Sequence, residues 1–344
     1  LALYLIISTT LIACWRLFLF PCASGSVLAR VVVVGSGEEA KELAETLNNN
    51  PRFGCMCVEV VDIRGYPTAS LLEAKLTEVM ATYRIDSIIA DMSDEYAKRL
   101  APLYYTLAFL HAHVRFVRLH ELYEQLFRKV PFSLIGKTWF LENVRADAPH
   151  YGYTFFKRTG DIVCACLLLM PCVFLFPFIY LAIILQDGEA VFYRSERVGQ
   201  HGEPIGLYKF RTMTGMDSGE TLETKHAVTP LGRLLRKTRI DELPQLWNIV
   251  RGDLSFVGPR PELSARARVY AETIPYYGMR HLIKPGLTGW AQINDFEVPR
   301  GSIDIPRTIN KLSFDLYYLK RHSLLLDLEI VLKTIKTMLL HSGS

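Results

Sequence analysis

Asp241 and Glu242 are adjacent carboxylates set between Arg236 and Arg239 on one side and Arg251 and Arg260 on the other. Acids flanked by several guanidiniums suit the handling of phosphate, because the cations attract the anion while the acids offer oxygens to a divalent metal. The other use of the same residues is a surface ion-pair cluster. Pro244, Gly252, Gly258, Pro259 and Pro261 favour the first use, since they restrict the backbone wherever these side chains have to be aimed. Pro244 disfavours the αR region at Leu243 and is suited to open the next helix, so the acid pair is expected at a helix entrance. Consecutive residues of a continuous helix diverge by about 100°, which makes a turn the place where both carboxylates face one cation. Mg2+ is the ion expected on Asp241 and Glu242, since it takes one or two carboxylates and completes its shell with phosphate oxygens and water.

Other cations converge on the same chemistry. Gly258-Pro259-Arg260-Pro261 is a loop with few backbone options, and it projects Arg260 as a planar fork matched to phosphate. Arg236 and Arg239 either bind phosphate or hold the carboxylates in place. Lys209 and Arg211 alternate as on one face of a strand, where they serve the site or meet lipid head groups. The segment Lys284–Asn294 joins a rigid Pro-Gly turn to Trp290, which forms a wall of the site or packs in the core.

The elements that must carry these groups follow from composition. The chain has 344 residues, enough for two domains. Half of them are apolar and the mean hydropathy is +0.17, so part of the excess is expected to meet lipid. The net charge of +4 suits a membrane surface or an anionic substrate, and no recognition motif for nucleic acid accompanies the basic residues. Seven cysteines, without metal-type spacing, are expected as reduced thiols with neither a disulfide framework nor a metal site.

Residues 1–20 are apolar apart from Arg16 and a few hydroxyls, and they approach the roughly 20 residues of a spanning helix. A transmembrane helix with Arg16 and Arg30 at its cytoplasmic end is expected; a signal peptide, the competing reading, would carry a basic start. From residue 30 to about 130, short β-branched runs alternate with amphipathic ones, the pattern of a Rossmann-like parallel sheet. Its Gly35-Ser36-Gly37-Glu38-Glu39-Ala40 turn, with Asp62 downstream, matches the dinucleotide fingerprint. Gly35 and Gly37 are candidate cofactor contacts or simply the makings of a tight turn. Residues 131–155 read as a linker, and 156–344 as a second domain.

Within that second domain, Ile162 to Leu185 lacks any charge but contains Pro171 and Pro177, and Lys/Arg residues flank it on both sides. A kinked spanning helix accounts for the length. A re-entrant helix over 160–186, broken at Pro171 with both ends on the cytoplasmic side, accounts for the flanks as well. The tail Leu324–Leu340 reads as an amphipathic helix resting on membrane or protein.

Three blocks occur in order: YRSERVGQHGEPIGLYKFRTM, DELPQLWNIVRGDLSFVGPRPE and KPGLTGWAQIN. Together they resemble the bacterial sugar transferases, monotopic polyprenyl-phosphate sugar-1-phosphate transferases, over roughly residues 156–340. The resemblance implies an α/β chain with an N-terminal transmembrane helix, the last of several, then a Rossmann-like parallel-sheet domain and a mostly helical monotopic catalytic domain with a re-entrant helix. It implies transfer of a hexose-1-phosphate from a UDP-sugar, galactose or glucose favoured, to undecaprenyl phosphate at the cytoplasmic face of the bacterial inner membrane. Asp241 would be the nucleophile of a phosphoaspartyl-sugar intermediate, Glu242 its partner on the metal or the acceptor, and Arg260 the phosphate binder, with Lys209 and Arg211 nearby. Asp315, in FDLYYL, resembles an acidic position near the family's active site. The bilayer is the implied partner, and a homodimer is compatible with the larger members.

Overall fold

The computed structural model describes residues 28–92, 100–110, 114–143, 151–188, 190–214, 227–295 and 303–341. The expected spanning helix at 1–20 lies outside them. Contacts divide the chain into two units, residues 1–127 with 133–136, and residues 128–132 with 137–344.

The first unit is a four-stranded parallel sheet in the order β2-β1-β3-β4, with β1 at Ala29–Val34, β2 at Cys55–Val61, β3 at Ser87–Ala90 and β4 at Arg115–Arg118. The run Val31–Val34 is apolar throughout because both faces of β1 are covered. Val31 and Val33 pack with Leu43 and Leu47 of helix α1 (Glu38–Asn49). Val32 and Val34 face the other way, onto Leu72, Leu76 and Val79 of α2 (Ala69–Thr82) and onto Leu103 and Leu107 of α3 (Ala101–Leu110). Helix α4 (Leu119–Phe127) closes the first face with Leu119 and Tyr123.

The fingerprint turn stands at the end of β1. A Cβ on Gly35 would sit 2.8 Å from the Leu119 side chain, and Gly37 has φ +99, so each glycine has a local steric reason. Glu39 accepts hydrogen bonds from the backbone and the hydroxyl of Ser133, at 3.1 and 2.5 Å. The start of α1, where a phosphate would profit from the helix dipole, thus already carries Glu38 and Glu39. Asp62 caps a one-turn helix by accepting from the Arg64 amide.

The second unit is organised along one helix, α5 (Tyr151–Asp187), whose helical backbone runs without interruption through Pro171 and Pro177. It is long and apolar enough to cross a membrane by length and composition, and only 17% of its most apolar stretch is buried. One stripe of it is nevertheless occupied from end to end. Lys157 pairs with Asp327 at 2.8 Å, and Asp161 accepts from the Phe256 amide at 3.2 Å. Ala165 and Cys172 pack with Leu207, Leu246 and Ile249, while Ile179 and Ile183 pack with Val191, Phe210 and Leu235. The opposite side leaves Leu167, Met170, Phe174, Phe178 and Leu185 exposed.

Against that stripe lie an antiparallel hairpin, β5 (Phe192–Val198) and β6 (Pro204–Phe210), and the short helices α6 (Pro230–Lys237) and α7 (Gln245–Arg251). Arg158 donates to the carbonyls of Ile249 and Val250 at 2.6 and 2.7 Å, placing a cation on the last carbonyls of α7 as the helix dipole favours. Beyond them come β7 (Ser255–Val257) parallel to β8 (Gly286–Thr288), then α8 (Ser264–Thr273), α9 (Trp290–Asn294), α10 (Ile305–Arg321) and α11 (Leu324–His341). Trp290 is buried among Phe314, Tyr318 and Ile330, with its indole N–H on the carbonyl of Arg128, so of its two expected uses it serves the core.

Asn248 joins α7 to the hairpin. It is fully buried, its amide donates to the Gly206 carbonyl at 2.8 Å and its carbonyl accepts from the Tyr208 amide at 3.2 Å. Asn248→Ala strands both backbone groups, and each orphaned group costs about 1–3 kcal/mol. Thermal melts of the detergent-purified chain are therefore expected to fall by several degrees, and an unchanged melt would show that water replaces the amide.

Candidate active site

The acid pair is placed by a break between two helices. Helix α6 starts with Thr229 accepting from the Gly232 amide and with Pro230 in its first turn, and it ends at Thr238. Arg239 then takes a left-handed conformation, φ 59, which turns the chain so that Ile240–Glu242 form a single 3-10 turn ahead of Pro244 and α7. The expected helix entrance is therefore present. Leu243 departs from expectation: it lies in the αR region, φ −55 and ψ −36, although a proline follows. The reason is local, because its amide closes the 3-10 turn on the Ile240 carbonyl and Pro244 continues the helical path at a first-turn position that needs no N–H.

Asp241 is buried at 8% exposure, and its Oδ1 has no hydrogen-bond partner among the described residues. Burial and the adjacent Glu242 push its carboxyl above the usual range, against the pull of Lys209, Arg236 and Arg239. Glu242 responds in the opposite direction. Burial alone would raise it, but Lys209 at 2.7 Å and Arg260 at 3.4 Å hold its carboxyl down at about 2. Burial, with Arg260 and Arg197, lowers Lys209 in turn, and Glu242 opposes that shift. The two neighbouring acids are thus separated in character, one a firmly ionised anchor for cations and the other a poorly solvated carboxylate with a spare oxygen.

The other expected residues divide. Lys209, Glu242 and Arg260 form one connected cluster, and the fields of Arg236 and Arg239 reach Asp241. Arg236 also donates from Nε to the Thr212 hydroxyl at 2.8 Å. Arg211 is buried at 5% exposure just beyond β6, with its amide on the Val191 carbonyl. Asp315 is 1% exposed and forms an ion pair with Arg280 at 2.7 Å, so its carboxylate is sealed from solvent.

Arg260 owes its place to glycines. The Gly258 amide donates to the Thr288 carbonyl and the Gly286 amide to the Pro259 carbonyl, at 2.9 and 3.0 Å. A Cβ on Gly258 would lie 2.3 Å from the Lys284 carbonyl, and one on Gly286 would lie 2.1 Å from the Gly258 nitrogen. The GPRP and KPGLTG segments therefore meet backbone to backbone, which explains why both are needed. Arg280 and Asn248 escaped sequence reasoning, because the groups they tie together, Arg260 and Asp315 for the one and Gly206 and Tyr208 for the other, are remote in the chain and no spacing marks them.

Among the described residues no group of three or more His, Cys, Asp or Glu side chains could hold a metal ion. Mg2+ nevertheless fits this donor set, since it accepts one or two carboxylates beside phosphate and water oxygens, and Asp241 Oδ1 is a buried acceptor without a donor.

A family model described as bacterial sugar transferase matches residues 152–341. Over 195 residues the chain is 38% identical to the UDP-glucose:undecaprenyl-phosphate glucose-1-phosphate transferase of Escherichia coli, covering 55% of this chain and 41% of that one. It is 32% identical over 275 residues to the UDP-N-acetylgalactosamine-undecaprenyl-phosphate N-acetylgalactosaminephosphotransferase of Aeromonas hydrophila, covering 77% and 62% of the two chains. It is 29% identical to the UDP-galactose-lipid carrier transferase of Erwinia amylovora, covering 91% and 69%. The chain thus spans less than two thirds of the length of the first two relatives. Because the family model takes in more than half of the chain, including the acid pair and the loop of Arg260, the chain belongs to the bacterial sugar transferase family.

Proposed function

We propose that the protein transfers a hexose-1-phosphate from a UDP-sugar to undecaprenyl phosphate, releasing UMP and starting a surface glycan. The observation that carries this reading is the unequal acid pair: a buried Asp241 with an unpartnered oxygen beside a Glu242 whose charge is matched by Lys209 and Arg260. A lone buried carboxylate is a competent covalent nucleophile, and the cations lower the repulsion that a diphosphate would meet there. The names of the relatives specify glucose, N-acetylgalactosamine and galactose as sugars. Galactose or glucose is the donor favoured here.

In the proposed route the Asp241 carboxylate attacks the sugar-bearing phosphorus, forming a P–O bond as the bond to UMP breaks and UMP leaves with the electron pair. A phosphate oxygen of the lipid then attacks the same phosphorus, and Asp241 departs as carboxylate, leaving undecaprenyl diphosphate sugar. Arg260 holds phosphate oxygens with its exposed fork. Lys209 keeps Glu242 ionised and in place, and Arg236 and Arg239 favour the charged form of Asp241. When bound, Mg2+ on Asp241 and Glu242 would offset negative charge at phosphorus.

The same reading places α5 in the cytoplasmic leaflet of the inner membrane, where UDP-sugars are at hand. Lys157 at one end and Ile183 near the other both pack on the same unit, and this supports a monotopic helix. A straight crossing would drag polar protein into hydrocarbon along with it. The helix is continuous through Pro171 rather than broken there, and Pro171 is the proposed place where it would bend along a re-entrant path, since its ring removes a helix hydrogen bond.

With labelled UDP-sugars, Mg2+ and no lipid, label is expected on the protein, and Asp241→Asn should reduce its formation by about a thousandfold or more. Label kept by that variant would place the nucleophile elsewhere, and none on the native chain would favour direct transfer. The pH profile offers a second test. Asp241 must be ionised to attack and its folded pKa is raised, so labelling should fall on the acid side at a pH above the ordinary aspartate value. Lys209→Met removes a cation that favours the carboxylate, and it should move this limb to higher pH.

A further inference from the structure

The loop that presents Arg260 is held from behind at four consecutive carbonyls. Pro259 accepts from the Gly286 amide at 3.0 Å, and Glu262 accepts from the Val198 amide at 3.0 Å. Between them the donors are side chains: Arg280 Nη2 donates to the Arg260 carbonyl at 3.0 Å, and Arg197 Nη1 to the Pro261 carbonyl at 3.4 Å. The side chain of Arg260 is 44% exposed although its own backbone is anchored. Two of the four residues are prolines, which have no N–H to make ties of their own, so the geometry of the loop depends on these incoming donors.

Burying a guanidinium is costly, and an ion pair seldom repays that cost as stability alone. Arg280 is 7% exposed, pairs with Asp315 at 2.7 Å and donates Nη1 to the Tyr277 hydroxyl at 2.9 Å. Arg197 is itself oriented through Nε on the Ser195 hydroxyl at 3.0 Å. Each guanidinium thus has a second polar hold besides the loop: Arg280 meets Asp315 through the same Nη2 and Tyr277 through Nη1, and Arg197 meets Ser195 through Nε.

We infer that Arg280, set by Asp315, and Arg197 are positioning residues that aim the Arg260 fork at the mouth of the acid pair. Asp315 acts on the reaction through Arg280 and Arg260, not by touching substrate. This inference rests on the proposed role of Arg260 as phosphate binder.

A double-mutant cycle tests it, reading kcat/KM for UMP release by the full chain in detergent with undecaprenyl phosphate and, separately, UDP-glucose, UDP-galactose and UDP-N-acetylgalactosamine. Arg280→Lys and Arg197→Lys keep the charge and lose the planar reach, and each should lower kcat/KM by about tenfold to a hundredfold, as small misplacements at a reacting centre do. Combined with Arg260→Ala, neither should lower it further by more than about twofold, since residues acting through one group are not additive. A full second loss in the Arg260→Ala background, or no loss in the single variants, overturns the inference and leaves the role of Arg260 standing. An Arg260→Ala variant as active as the native chain, or a native chain that releases no UMP, overturns both. Should Arg280→Lys fail to fold, as a melt would reveal, the Arg197→Lys cycle decides the matter alone.

Discussion

One carboxylate joins the parts of the second unit that matter for chemistry. Glu242 Oε1 is shared between Lys209 of the hairpin and Arg260 of the proline loop, so three segments distant in sequence meet at one atom. Without cations from two directions a half-buried glutamate would resist ionisation, and Asp241 beside it would feel no fixed negative charge. With them, the neighbouring acids acquire opposite tendencies within a single turn of chain. The left-handed Arg239, the buried Asn248 and the interlaced glycines can each be understood as securing one of the three segments.

Much of this was legible before any coordinates. The uninterrupted valines of β1 implied a sheet covered on both faces, and their alternate packing on two helical layers is the physical content of that pattern. Pro244 marked the helix entrance correctly even though its expected effect on Leu243 was outweighed by a turn hydrogen bond. What the sequence hid was of two kinds. In α5 nearly every side chain is apolar, so no periodicity could separate the stripe that meets protein from the side left bare. Arg280 and Asn248, and the pairing of Asp315, depend on partners between twenty and forty residues away or more, and long-range polar pairing leaves no trace in spacing.

The N-terminal unit shows how a motif can satisfy its own geometry. A Cβ on Gly35 would press on the Leu119 side chain and Gly37 has a positive φ, while Glu39 accepts from Ser133 at the start of α1.

The grip of Arg158 on the last carbonyls of α7 has a mechanical meaning. α7 begins just after the acid pair, and α5 is the element proposed to lie in lipid, so this contact works as a ruler between the two. On that proposal, the depth to which the apolar helix sinks would fix the altitude of the carboxylates relative to the plane of lipid phosphates. A long-chain acceptor that cannot leave the bilayer would be met at its own level, and membrane thickness would become a variable to which turnover responds.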